Sequence, residues 1–312
     1  MPIKSYKTQD TTFKTDDYIL HEALESAVEV ALALGQPLLL TGEPGTGKTK
    51  LAYKVAADLA GDGFAPKPLV FNTKTTSLAR DLFYTYDAVA HFQAANIKRS
   101  ESDEAPETAD FIELQALGKA IALSHPKAVD RDKIREQLPA QPQNSVVLID
   151  EIDKAPRDFT NDILNEIEAY QFRIKELNYA LQKSPDQQIL LIMTSNSEKN
   201  LPDAFLRRCV FYHIPFPDKQ LLLEIAQKQL GTATAFTKTA LEALIKKFQD
   251  IRDAAVRKKP ATAELIAWLR MLALKEYMGR DEQEQEALIL KNLSILVKTQ
   301  EDLEAVKAFL KK

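Results

Sequence analysis

Residues 42–49 read GEPGTGKT. The chain holds only nine glycines in 312 residues, well under the ~7% of an average protein. Three of them, Gly42, Gly45 and Gly47, fall inside this one stretch. A chain so sparing of glycine has a backbone reason for such a cluster. Just before it, Pro37-Leu38-Leu39-Leu40-Thr41 is a short apolar run, the mark of a buried strand. Just after it, Leu51, Ala52, Val55, Ala56 and Leu59 share one face of a helix expected over about 48–60 and stopped by Gly61 and Gly63. Strand, glycine loop and helix in that order are the context of a phosphate-binding loop. Glycines let successive N–H groups turn inward on an anion, and the helix aims its partly positive N-terminus at the same point. On this reading Gly42, Glu43, Pro44, Gly45, Thr46 and Gly47 form the cradle. Lys48 reaches the β- and γ-phosphates, and the Thr49 hydroxyl holds Mg2+.

The rest of the first 217 residues follows the same alternation. Leu20, Ala23, Leu24, Ala27, Val28 and Ala31 give a helix over 18–34, with Asp16 and Asp17 as caps and Gly35 as its end. Short apolar runs recur at Leu69–Phe71, Val146–Ile149, Ile189–Met193 and Val210–Tyr212, with helical stretches between them. Strands that alternate with helices imply a parallel sheet covered on both faces. The fold class is therefore α/β, a five-stranded sandwich of the phosphate-loop type. Residues 98–110 (KRSESDEAPETAD) read as a mobile polar insertion, and residues 125–144, with three prolines, as a loop. Beyond Pro217 the strand-like runs stop. Five amphipathic helices are expected, over 218–230, 236–249, 261–278, 282–296 and 300–311. In the third, Leu265, Trp268, Leu269 and Leu272 share a face. The expected domains are 1–217, an α/β nucleotide-binding unit with insertions near 85–144 and 170–187, and 218–312, a smaller helical one.

Composition excludes several classes. A net charge of -4 gives no basic footprint for nucleic acid. No apolar run has the length of a membrane span, and MPIKSYKTQD lacks the apolar core of a signal peptide. Cys209 is the single cysteine, so no internal disulfide can form, which fits a reducing, cytoplasmic setting. With four scattered histidines there is no zinc-ligand spacing.

Residues 146–151 read VVLIDE. An apolar strand here delivers two adjacent carboxylates at its C-terminal end, where open α/β sheets bind ligands. Asp150 is placed to hold Mg2+, and Glu151 to polarise an attacking water as general base. Asp153 and Lys154 just beyond read as a solvated charged turn.

GEPGTGKT at 42–49 and LIDEIDKAP at 148–156 resemble the AAA+ ATPases, in particular the MoxR-like branch. TSNSEKNLPDAFLRRC at 194–209 is similar to that family's sensor 1 strand and arginine-finger segment. The resemblance covers most of residues 15–217, and the helical tail fits the family's lid. It implies that Asn196 orients the lytic water, and that Arg208, with Arg207 beside it, reaches the nucleotide of the next subunit. Cys209 stands where relatives commonly carry an aromatic. The lid arginine called sensor 2 is absent: Ala263 takes its position, and Arg257, Lys258 or Lys259 are the substitutes at hand. Tyr18 and Ile19 stand either against the adenine or as a hydrophobic staple on the first helix. Segment 170–187 is expected to be the branch's β-hairpin insert.

What the resemblance implies is an ATPase that uses Mg2+ and works as a homo-oligomeric, hexameric ring. It would remodel or mature a client protein, with von Willebrand A domain proteins as common partners. Asn72–Ser77 lacks the aromatic-glycine pair with which threading relatives grip a chain, so threading is disfavoured. GTP is disfavoured because no N-K-x-D motif follows the third conserved strand. Two other classes stay open: a nucleotide-gated binding module with incidental hydrolysis, and a nucleic-acid motor or loader. For the last, the basic clusters Lys246-Lys247 and Arg257-Lys258-Lys259 are modest and read as solvated helix faces.

Overall fold

The computed structural model describes residues 13–98, 106–197, 201–231 and 236–310. The N-terminal decapeptide and residues 99–105 of the expected insertion lie outside the described residues. The described residues form two compact units: those within Leu20–Phe216, and those before Leu20 together with those from Pro217 onward.

The first unit starts with α1 (Glu22–Leu34), β1 (Leu38–Gly42) and α2 (Lys48–Asp58). β2 (Leu69–Asn72), β3 (Tyr84–Tyr86), α3 (Ala88–Lys98), β4 (Ile112–Leu114), α4 (Ala116–Ser124) and β5 (Ser145–Asp150) follow. The unit closes with α5 (Arg157–Asp162), α6 (Leu164–Ala169), β6 (Gln171–Ile174), β7 (Tyr179–Gln182), β8 (Ile189–Thr194), α7 (Asp203–Leu206) and β9 (Val210–Ile214).

The five expected strands form one sheet in the order β2-β5-β8-β1-β9, and every neighbouring pair is parallel. Strand side chains alternate between faces. Leu39, Phe71, Val147, Ile149, Leu191 and Met193 enter a core shared with α4, α5, α6 and the β6–β7 hairpin. The alternate residues Leu38, Leu40, Val146, Leu148, Leu190 and Ile192 are also buried. α2 packs on β1, β5 and β8, and α1 on β1 and β9. The sheet is thus covered on both faces, which is why its strands read as continuous apolar runs.

Register aligns the strand ends. Asn72 pairs with Asp150, Leu40 with Thr194 and Gly42 with Ile214. The loop after β1, the carboxylates at the end of β5 and the end of β8 therefore meet at the C-terminal edge of the sheet. The expected hairpin at 170–187 is present as β6 and β7, paired from Gln171–Gln182 to Ile174–Tyr179.

Three local expectations need correction. The first helix begins at Glu22 with His21 as N-cap, while Asp16 and Asp17 belong to a separate 3-10 turn. The second ends at Asp58 and tightens into a 3-10 turn that includes Gly61, and Gly63, at φ 81, closes it. Within 98–110 the described part is ordered: a 3-10 turn at Thr108–Phe111 leads into β4, which pairs antiparallel with β3. Residues 125–144 contain no helix and, apart from an isolated parallel bridge between Asn144 and Phe64, no strand pairing, yet Val129 and Ile134 are buried in the core.

The second unit contains α8 (Lys219–Leu230), α9 (Lys238–Ala254), α10 (Thr262–Leu274), α11 (Glu282–Lys291) and α12 (Gln300–Leu310). Asp218, Thr237 and Asp281 cap α8, α9 and α11 with side-chain oxygens on backbone N–H groups. Leu265, Trp268, Leu269 and Leu272 are fully buried, as their spacing implied. Among the described residues no helix is long and apolar enough to cross a membrane.

Candidate functional site

The site grows from the turn between β1 and α2. Gly42, Gly45 and Gly47 adopt φ of 144, 78 and 92, and Gly47 is the N-cap of α2. A Cβ on Gly42 would lie 2.5 Å from the Ile214 carbonyl oxygen on β9. Only glycine allows the chain to pass there while turning. Thr46 Oγ1 donates to the Glu43 carbonyl at 2.8 Å, which ties the loop to itself and leaves Glu43, Pro44 and Gly45 exposed at its crest.

Lys48 opens α2 and is buried. Its ammonium donates to the Gly42 carbonyl at 2.8 Å, the Glu43 carbonyl at 2.9 Å and Asn196 Oδ1 at 3.2 Å. Burial lowers the Lys48 pKa, and the carboxylates of Asp153, Asp150, Glu151 and Glu43 oppose that shift. A buried ammonium that rests on backbone carbonyls at the mouth of a glycine loop is a cation suited to phosphate oxygens.

Next to it, Thr49 Oγ1 donates to Asp150 Oδ1 at 2.9 Å. A hydroxyl and a carboxylate, one from the helix and one from β5, present two hard oxygens side by side. That donor set suits Mg2+, which keeps several waters and is bound jointly with substrate phosphates. Among the described residues no group of three His, Cys, Asp or Glu could hold a metal by itself.

Glu151 follows Asp150 with φ 57, one of four non-glycine residues in the left-handed region among those described. Such a residue at a strand end is uncommon and marks a constrained position. Its carboxylate pairs with Lys154, which raises the Lys154 pKa. Asp153 Oδ1 accepts from the Asn196 N–H at 3.4 Å. The turn expected to be merely solvated therefore touches both the second carboxylate and Asn196. Thr194, missed by the sequence reading, links the same groups: its hydroxyl donates to Asp150 Oδ1 at 2.5 Å and accepts from the Glu151 N–H at 2.8 Å. Thr194 opens the TSN run that resembles sensor 1, yet the resemblance gave a role to Asn196 alone, and a threonine at the end of an apolar strand otherwise reads as β-propensity.

Lys48, Thr49, Asp150, Glu151 and Asn196 thus converge. Arg207 and Arg208 do not join them. They follow α7 and precede β9, whose first residue, Val210, pairs with Leu38 at the start of β1. Gly42 lies at the other end of β1, four residues on, or about 13 Å along the strand. Arg208 is ion-paired to Glu168 of α6 and donates from Nη1 to the Ala204 carbonyl at 3.0 Å. Arg207 is exposed. Both line a cavity of about 210 Å³ with Gly35, Pro37, Glu168 and Cys209. Burial pushes the Cys209 thiol up to about 12, and its Sγ donates to the Phe205 carbonyl, so Cys209 behaves as a small core residue. Residues 198–200, inside the matched segment, lie outside the described residues.

Tyr18 and Ile19 group with the C-terminal helices. Tyr18 meets Phe13 edge-on with centroids 6.5 Å apart, and Ile19 is half-buried. With His21 as N-cap, the staple position of α1 is Leu20, so a staple from Tyr18 or Ile19 is out of register. Ala263 lies in the first turn of α10.

No curated protein matches the chain. A solved structure described as "Structural Basis for Katanin Self-Assembly" is similar with a TM-score of 0.46 and 13% identity, over 95% of this chain and 90% of that one. A family model, the AAA domain of the dynein-related subfamily, matches residues 37–209, which run from the start of β1 through the arginine pair. That match spans more than half of the chain and contains every group that converges at the sheet edge, so the protein belongs to the AAA domain family, dynein-related subfamily.

Proposed function

We propose that this chain is a MoxR-type ATPase that hydrolyses ATP with Mg2+ as a homo-oligomeric ring and uses the cycle to remodel or mature a client protein. The observation that supports this most is the convergence of Lys48, Thr49, Asp150, Glu151 and Asn196 on one edge of the sheet. In this reading the loop N–H groups of residues 42–49 and the Lys48 ammonium bind the β- and γ-phosphates. Phosphate oxygens replace the Gly42 and Glu43 carbonyls as Lys48's partners. Thr49 and Asp150 hold Mg2+, which neutralises developing phosphate charge when bound. Glu151 takes the proton of the attacking water, and Asn196 orients that water. Tyr18 and Ile19 remain assigned to the adenine.

Arg208, seconded by Arg207, acts on the nucleotide of the next subunit. Their place at the far end of β1 supports a role in trans, since a guanidinium there is remote from its own chain's loop. The hexameric state, a von Willebrand A domain partner and a cytoplasmic setting rest on the family resemblance and the single cysteine. Nucleic acid is not expected as a partner. The loop after β2 supports a non-threading mode: Lys74 N–H and Ser77 Oγ, and Ser77 N–H and the Lys74 carbonyl, pair at 3.0 Å and close it on itself.

Glu151→Gln tests the reading. The variant should bind ATP as tightly as wild type and lose hydrolysis by about a hundredfold or more, in line with removal of a general base. Full turnover by the variant would remove Glu151 from the chemistry. A second reading, the nucleotide-gated binding module, is favoured by the Glu151–Lys154 ion pair, which occupies the base. Slow hydrolysis unchanged by any partner protein, with partner affinity set by nucleotide, would select it.

A further inference from the structure

We propose that Thr194 is a positioning residue of the hydrolytic site, whose one hydroxyl fixes both the metal-side carboxylate and the backbone of the base. The inference rests on the nucleotide-hydrolysing reading above. Thr194 ends β8 and is 1% exposed. A hydroxyl has one proton and two acceptor lone pairs. The Glu151 N–H can only donate, so at 2.8 Å the hydroxyl accepts there. Its own proton then goes to Asp150 Oδ1, at 2.5 Å. The direction of both bonds is fixed by chemistry, and no rotation of the hydroxyl serves both partners otherwise.

Three features make this more than a strand-end contact. Asp150 Oδ1 also accepts from Thr49 Oγ1 at 2.9 Å, so one carboxylate oxygen is held by two hydroxyls, one from the first turn of α2 and one from the end of β8. When Thr49 turns to a metal, Thr194 is the bond that keeps Asp150 aimed. Glu151 holds a left-handed φ of 57, and its N–H would lose its partner without Thr194. Finally, valine has the same shape and a high strand propensity, so packing alone does not require the hydroxyl.

Thr194→Val removes the hydroxyl at constant shape, and Thr194→Ser keeps it. Each would be read by thermal melting in EDTA, by titration of a fluorescent ATP analogue in Mg2+ and in EDTA, and by kcat and KM for ATP. Thr194→Val should fold and bind the analogue normally in EDTA. It should lose about tenfold of the affinity gained on adding Mg2+ and about a hundredfold in kcat, the range for removing the partner of a metal ligand. Thr194→Ser should recover both to within about threefold. A valine variant that keeps the Mg2+ gain overturns the proposal, as does a serine variant as defective as valine. If Thr194→Val fails to fold, Thr194→Ala is judged by the same two outcomes. A wild type that hydrolyses no ATP overturns the reading above, and the Mg2+ gain still decides on Thr194.

Discussion

At the scale of single residues, backbone freedom and side-chain charge divide the work of the site. Gly42 and Gly35 show how different two left-handed glycines can be. Gly35 ends α1 at φ 63, and a Cβ there meets nothing within 4 Å. Gly42 sits at φ 144, and its Cβ would press on the Ile214 carbonyl, a backbone atom of a sheet strand that cannot swing aside. Gly35→Ala is therefore expected to cost only the left-handed strain, roughly 1 kcal/mol. Gly42→Ala adds the clash and should cost about 3 kcal/mol or more. It should also abolish nucleotide binding, because Lys48 holds the Gly42 carbonyl that the clash displaces. Urea melts of both variants, with nucleotide titrations, check this. Equal destabilisation would mean that the Gly42–Ile214 approach does not constrain the loop.

At the scale of elements, Asp302 organises the joint between α9, α10 and α12. Its Oδ1 accepts from the N–H groups of Val256 and Arg257, and its Oδ2 from the N–H of Lys258 and the Thr299 hydroxyl. Those donors bring the Asp302 carboxyl down to about 2 from 3.8. A carboxylate with a depressed folded-state pKa contributes stability above its unfolded value and loses it as pH falls through the folded one. Its contribution is thus complete above about pH 4 and fades towards about pH 2. Asp302→Asn should lower the melting temperature at neutral pH and flatten the melting profile between these limits. Trp268, the single tryptophan and fully buried in the same unit, is the natural fluorescent probe. Parallel pH profiles for variant and wild type would show that another group sets the acid limb.

Legibility in the sequence also divides by element. The five sheet strands were readable because burial on both faces makes them unbroken apolar runs. The phosphate loop was readable because its residue types are dictated by the anion. The β3–β4 pair was not: each strand has three residues, and the pairing of Tyr84 with Leu114 spans a long polar insertion. Gly118 was not either. It lies inside α4 with ordinary helical backbone, and a Cβ there would overlap the Phe83 carbonyl at 1.9 Å. A close approach of that kind leaves no local pattern in the chain. Thr194 escaped for the related reason that its partners come from β5, far away in sequence.

At the scale of the whole molecule, the question is whether one chain contains a complete site. In the proposed function the groups that converge at the C-terminal edge would supply cradle, metal oxygens, base and amide, while Arg207 and Arg208 stand at the opposite end of β1. A head-to-tail ring would place that end of one copy against the loop of the next, because heterologous contacts that close generate rings. Two inactive variants then have complementary defects. Arg208→Ala retains Glu151 and lacks the finger; Glu151→Gln retains the finger and lacks the base. Neither should hydrolyse ATP alone, and both should bind it. Mixed in equal amounts and allowed to exchange subunits, about a quarter of the junctions pair an intact Glu151 with an intact Arg208. Steady-state ATPase of the mixture should rise to about that fraction of wild type and fall on dilution below the assembly concentration. Arg208→Ala with undiminished turnover would show that this arginine is not a finger. A mixture that assembles, as light scattering reports, yet recovers nothing would show that Arg208 serves its own chain. In that case the Glu168 ion pair would have to break, and the segment after α7 move the length of β1, for the site to be completed in cis.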